Sequence, residues 1–295
     1  MSSDQFFMID FPALIIVVLA SILCALLGSF LVLKKQAVMV DAISHSVLPG
    51  IVMAVLLSGT FSMIYVMSGA LLSALIAISL VYMLQHWAKI EQGAAIGSVF
   101  TTLFAIGVIL LETKIGTRVH LDTQHVLYGA LELTYWAKPF EWESMPVQIK
   151  TLGALLLITC VFMALLFKEL RLTTFDPVYA KIRGYRVDVL QFSLMILMSL
   201  VAVGCFEATG SILVIALFIC PAACARLVCN RMEDQMVVST MIAVSCGVFG
   251  YFVSAILPTW YGIGYSVNSA AAIAVTLGGV LITICGYKFL CSPKA

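Results

Sequence analysis

Nine apolar runs recur along the chain, at residues 11–33, 36–57, 61–84, 94–111, 151–167, 189–206, 210–229, 236–257 and 269–289. A helix needs roughly 20 apolar residues to cross about 30 Å of hydrocarbon. Inside lipid each backbone N–H and C=O must find its partner within the protein, so a spanning run is helical. Charge agrees with this reading: only 11% of the 295 residues are Asp, Glu, Lys or Arg, against roughly 25% in a soluble domain. That is too little to wet the surface of a globule of this size, and a soluble enzyme is excluded. The chain reads as an all-α integral membrane protein, a single transmembrane domain over 1–295 with about nine helices. The sixth and seventh runs are parted only by Phe206 to Gly210, so one re-entrant element, giving eight spans, is the alternative.

Orientation follows from the basic residues, which collect on the cytoplasmic side of membrane proteins. With nine alternating spans and the N-terminus outside, twelve of the sixteen Lys and Arg fall on the inner side. Met1 to Asp10 carries no basic n-region, so the first run is expected to be a retained span and not a cleaved signal. The net charge of +1 argues for no nucleic-acid partner. The nine cysteines lie mostly within apolar runs, without a Cys-x-x-Cys pair, and read as packing residues.

Ionisable groups inside spans are expensive and mark function by default. The clear case is Asp41 and His45 in the second run. Four residues apart on a helix, they share a face. Counted from Lys35, they stand roughly 9 Å and 15 Å along the axis, which is mid-layer. Pro49 lacks an N–H, so the His45 carbonyl loses its helical partner. Carboxylate oxygen and imidazole nitrogen suit manganese, iron(II) or zinc. Two ligands are too few to hold such an ion, but two chains around a pore supply four. A proton relay is an equally apt use of Asp and His, and a pair serving only as helix glue is the structural alternative.

Two non-membrane segments are long enough to act. The outer one, 112–150, holds His120, Asp122 and His125, which have metal-ligand chemistry at a spacing that fits no defined site. The inner one, 168–188, carries five basic residues. Within it Asp176-Pro177 reads as an N-cap followed by proline at the first helical position, starting a short helix that ends near Gly184. His86, beside Trp87 and Lys89, is read as interfacial. No G-x-x-x-x-G-K-[S/T] run occurs, so uphill work would draw on a partner or an ion gradient.

Several of these segments resemble a known family. Asp41-Ala42-Ile43-Ser44-His45-Ser46-Val47-Leu48-Pro49-Gly50 is similar to the D-A-x-S-H-x-x-L-P-G signature of metal-importing ABC transporter permeases for manganese, zinc and iron. His120 to Gly129 resembles the outer L-x-D-x-x-x-x-L-[F/Y]-G segment of that family. Phe175-Asp176-Pro177 with Ala180 and Gly184 resembles its F-D-P-x-x-A-x-x-x-G loop, and Gly210 to Ala223 its G-x-L-L-V…P-A-A helix. The matches fall in family order from about residue 12 to 288.

The resemblance implies the metal-type ABC importer permease fold in a bacterial plasma (inner) membrane. It implies a dimer with an identical or sister permease, cytosolic ATPase subunits and an extracytoplasmic metal-binding protein that delivers the ion. Phe175, Asp176, Pro177, Ala180 and Gly184 would form the helix that docks on an ATPase, and Asp41 with His45 the transient metal site. The metal would be cargo, with no permanently bound cofactor, and the chain itself would not be an enzyme. His125 departs from the family pattern, leaving open whether the outer segment binds metal or meets the binding protein. Manganese or iron(II) is favoured as cargo over zinc. The rival expectations are a proton-coupled secondary metal transporter using Asp41 and His45 as the relay, and, last, a membrane-embedded enzyme built on His120, Asp122 and His125.

Overall fold

The computed structural model describes residues 6–59, 63–112, 131, 134–136, 144–256, 258 and 268–291. Among them nine helices are long and apolar enough to cross a membrane, and no strand occurs. The first, α1 (Phe11–Leu33), opens with Pro12 in its first turn, where a missing N–H costs nothing. It ends in a turn with Lys35 at φ 57°. The second, α2 (Val38–Ser58), stops at Gly59, whose N–H donates to the Val55 carbonyl. Next come α3 (Met63–His86) and α4 (Gln92–Leu110).

The fifth span, α5 (Val147–Phe175), has 29 residues and is about 44 Å long, well beyond a hydrocarbon layer of about 30 Å. The inner segment therefore begins as helix and not as loop at residue 168. Lys168, Glu169, Leu170, Arg171 and Leu172 all favour helix, and nothing breaks it before Asp176-Pro177, where the residue ahead of proline is pushed out of the helical region. A short helix, α6 (Pro177–Ile182), follows.

The remaining spans are α7 (Val187–Thr209), α8 (Ser211–Val228), α9 (Met232–Tyr251) and α10 (Ser269–Cys291). Gly210 alone separates α7 from α8, at φ 83° and ψ 158°. Only glycine adopts that region freely, so the sixth and seventh runs are two helices and the nine-span count stands over eight.

The helices gather into two compact units. One holds α1, α8, α9, α10, α5 up to Leu165 and the end of α7 from Cys205; the other holds α2, α3, α4, α6 and the rest of α5 and α7. Between helices in lipid there is little hydrophobic drive, and close backbone packing takes its place. In the first unit α1 is the buried centre, with Ile16, Leu23, Leu27 and Phe30 fully enclosed. A Cβ on Gly28 would strike the Phe218 carbonyl of α8. Cys24 and Cys205 bring their sulfurs to 3.8 Å. Lys288 donates to the Leu227 carbonyl at 2.6 Å, a cation at the negative end of α8.

In the second unit α2 packs against both α3 and α4. Gly50 and Gly69 bring α2 and α3 together so closely that a Cβ on either would strike the carbonyl oxygen of the other. Gly107 of α4 clears room for the Pro49 ring, whose Cδ lies 3.0 Å from where a Cβ would stand.

Candidate metal site

The α2 helix positions the intramembrane pair. Asp41 lies in its first turn, about 4.5 Å along the axis from Val38, and His45 about 10.5 Å. Because residues 34–37 form a turn and not helix, the pair stands nearer the Lys35 end of the span than the mid-layer position expected. The shared face holds: His45 Nε2 is 3.4 Å from Asp41 Oδ1. Neither side chain is enclosed, with 34% of His45 and 44% of Asp41 exposed, so both can reach a further ligand.

The imidazole is held from α4. Phe100 and Phe104 place their ring centroids 5.4 Å and 5.5 Å from it, the second edge-on at 81°. Edge-on and tilted packing of this kind is the favoured geometry for aromatic rings. Around the pair the α2 backbone is loosened by its own side chains. Ser44 donates to the Asp41 carbonyl at 2.7 Å and Ser46 to the Ile43 carbonyl at 3.0 Å, bonds that compete with the helical ladder. Pro49 removes the donor for the His45 carbonyl. From α3, Ser73 donates to the Ser46 carbonyl at 2.5 Å. Beyond the pair, Pro49, Met53 and Leu57 continue its i,i+4 stripe and line a groove of about 830 Å³ with residues of α3 and α4.

Among the described residues, no three His, Cys, Asp or Glu stand close enough to hold a metal ion. One chain thus offers a carboxylate and an imidazole there, and no more. His120, Asp122 and His125 lie outside the described residues.

Within the inner segment, α6 is capped at both ends as its sequence foretold. Asp176 Oδ1 accepts the Tyr179 N–H at 2.9 Å and Pro177 occupies the first turn of α6. At the far end Gly184 takes φ 85°; its N–H donates to the Lys181 carbonyl and the Tyr185 N–H to that of Ala180. Those two bonds make a Schellman motif, which ends a helix sharply at glycine. Ala180 is buried, whereas Val178 and Ile182 are 68% and 79% exposed, with Phe175 also exposed beside them. A short, tightly capped element thus leaves apolar side chains uncovered.

Three supporting features escaped the sequence reading. Phe100 and Phe104 reach the His45 ring from α4 and Ser73 reaches the Ser46 carbonyl from α3, and no local pattern announces such contacts. The close approach of α2 to α3 did carry a signal: Gly50 with Ala54, and Gly69 with Ser73, are small residues four apart, the spacing of close helix packing in membranes.

The sequence matches the ABC 3 transport family over residues 6–281. The manganese transport system membrane protein MntD of Bacillus subtilis (strain 168) is 37% identical over 260 residues, 88% of this chain and 86% of that one. The zinc transport system membrane protein TroD of Treponema pallidum (strain Nichols) is 35% identical over 282 residues, 95% and 73% of the two chains. Among solved structures, PsaBC from Streptococcus pneumoniae in complex with Fab superposes with a TM-score of 0.73 at 25% identity, over 95% of this chain and 94% of that one. An inward-facing putative metal-chelate type ABC transporter shares the fold, with a TM-score of 0.71 at 16% identity over 95% and 88%. With a match that runs from the start of the first span into the last, and with relatives this close along its length, the chain belongs to the ABC 3 transport family of membrane permeases.

Proposed function

We propose that this chain is the membrane subunit of an ATP-driven importer of a divalent transition metal, with manganese or iron(II) favoured and zinc accepted. As a family member it is a transport permease, a multi-pass protein of the bacterial plasma membrane; the cargo, the energy source and the path are the proposal. One observation carries it: Asp41 and His45, 3.4 Å apart on one face of α2 and each more than a third exposed. A carboxylate and an imidazole within a span, left open on that scale, are ligands in search of an ion.

A second permease facing this one would complete the site with another Asp and His, enough to strip part of an ion's hydration shell without trapping it. The stripe through Pro49, Met53 and Leu57 would give the ion a route along α2. Ser44, Ser46 and Pro49 leave the turn around His45 adjustable, as alternating exposure of a site requires. On the inner side, α6 offers Val178 and Ile182 to a cytosolic ATPase, and its movement would open the site to one side at a time. An extracytoplasmic metal-binding protein would deliver the ion, and relatives named for manganese and for zinc transport support that class of cargo.

The test is ATP-dependent uptake of radioactive manganese(II) by membranes holding this chain with its ATPase subunit and binding protein. Asp41→Ala and His45→Ala are compared with wild type at matched abundance, with unlabelled iron(II) and zinc as competitors. Each substitution is expected to abolish uptake while the assembled complex still purifies intact. Undiminished uptake in both variants would sink the ligand assignment. Uptake that needs no ATPase but collapses with the proton gradient would favour the proton-relay reading.

A further inference from the structure

The second unit contains an unbroken series of contacts from α6 to the turn of α2 that carries His45. Val187 starts α7 four residues after α6 ends its last cap, and the Val187 and Leu190 N–H groups bond back to Tyr185 and Arg186, so the junction is stiff. Lys181 of α6 also reaches Asp188 in the first turn of α7 at 3.7 Å, but both side chains are about half exposed, and such an ion pair adds little. The covalent junction is therefore the firm link between α6 and α7.

One turn further along α7, Phe192 meets Tyr82 of α3, with ring centroids 5.3 Å apart and planes tilted by 54°. Tyr82 and Ser73 are nine residues apart on α3, which is half a revolution and about 13.5 Å. They lie on opposite faces, one toward α7 and one toward α2. Ser73 donates to the Ser46 carbonyl at 2.5 Å, with both serines buried. Ser46 is the neighbour of His45 in the stretch where Pro49 leaves the ladder one bond short. A helix yields most easily at such a place, so force arriving through Ser73 falls on the weakest turn of α2.

We propose that the Phe192–Tyr82 contact and the Ser73–Ser46 bond are the two joints through which movement of α6 displaces His45. These four are positioning residues, and none is a ligand of the proposed metal site. Their role rests on the proposed function, since it supposes a metal at Asp41 and His45 and an ATPase at α6. Without the aromatic joint α7 would slide past α3, and without the Ser73 hydroxyl α3 would slide past the Ser46 turn. In either case ATP would be hydrolysed with little metal moved.

The experiment uses the whole transporter, this chain with its ATPase subunit and binding protein, in liposomes. ATP hydrolysis and manganese(II) uptake are read from the same vesicles for Tyr82→Leu, Phe192→Leu and Ser73→Ala, with Tyr82→Phe and Ser73→Thr as conservative partners. Metal moved per ATP is expected to fall about five- to tenfold in the first three, with hydrolysis near the wild-type rate. Tyr82→Phe and Ser73→Thr should restore most of it, and Tyr82→Leu with Phe192→Leu together should be no worse than either alone. An unchanged ratio in all three overturns the proposal, as does a proportional loss of uptake and hydrolysis. Three substitutions at two separate joints guard against one simply failing to fold. Wild-type vesicles that take up no manganese on ATP would instead defeat the function on which the proposal stands.

Discussion

Replacing Gly50 with alanine would put a methyl group where α2 and α3 leave no space. Its carbon would fall on the Gly69 carbonyl oxygen, 2.6 Å from Ser73 Cβ and 2.8 Å from the Gly69 carbonyl carbon. Carbon atoms rest at about 3.5–4.0 Å, so the two backbones must part by about 1 Å. The obstructing atoms are mostly backbone and cannot swing aside. Overpacking of this kind costs about 1–3 kcal/mol, and the rigid contact argues for the upper half of that range. Alanine regains about 1 kcal/mol of helix propensity over glycine, leaving a net loss of about 1–2 kcal/mol.

Gly153 of α5 is the control, because a Cβ there meets nothing within 4 Å. Gly153→Ala should be neutral or stabilising by up to about 1 kcal/mol. At about 2–4 °C per kcal/mol for a chain of this order of size, thermal unfolding in detergent should separate the two variants by at least about 2 °C. A Gly50→Ala protein that melts at or above wild type, or level with Gly153→Ala, would refute the close approach of α2 to α3.

Other expectations follow from separate features. Asp176→Ala removes the cap on the Tyr179 N–H and should destabilise α6 by about 1 kcal/mol, read as roughly fivefold faster amide exchange over residues 177–184. Gly184→Ala forces a Cβ into φ 85°, costing about 1 kcal/mol; exchange should rise over the same stretch and stay unchanged in α1. Oxidation with copper phenanthroline should join Cys24 to Cys205, whose sulfurs are 3.8 Å apart, and peptide mapping should find no such link in Cys24→Ala. Burial holds the Lys34 ammonium below its usual value of 10.5, so the folded state releases this proton before the unfolded one. Stability should therefore climb as pH rises through the lowered folded value toward 10.5, and melts of Lys34→Gln should lack that climb.

Much of this architecture is legible in one dimension because the bilayer dictates it. An apolar run must be a helix, so the spans follow from hydropathy, and Asp41 and His45 share a face because four residues are about one turn. The α6 helix is equally local: Asp176 caps it, Pro177 starts it and Gly184 stops it. What stays hidden is set by contacts between distant segments. Phe100 and Phe104 flank an imidazole more than fifty residues earlier, and Ser73 bonds a carbonyl in another helix. The extension of α5 to Phe175 was concealed for a different reason. Lys168, Glu169 and Arg171 look like the edge of a membrane, yet they are good helix formers, and charge ends a hydrophobic run without ending a helix. The two further ligands that the proposed site takes from a second permease lie across an interface, which no pattern within one chain announces.

Gly210 has a consequence for how the protein is made. A single residue between Thr209 and Ser211 leaves no polar loop to be pulled through the bilayer after α7 and before α8. The two helices are therefore expected to enter the membrane together, joined at the glycine. Glu207, in the last turn of α7, enters with them. A substitution that stiffens Gly210 would then fail during synthesis, as a chain whose later helices face the wrong side and not as a finished protein that unfolds.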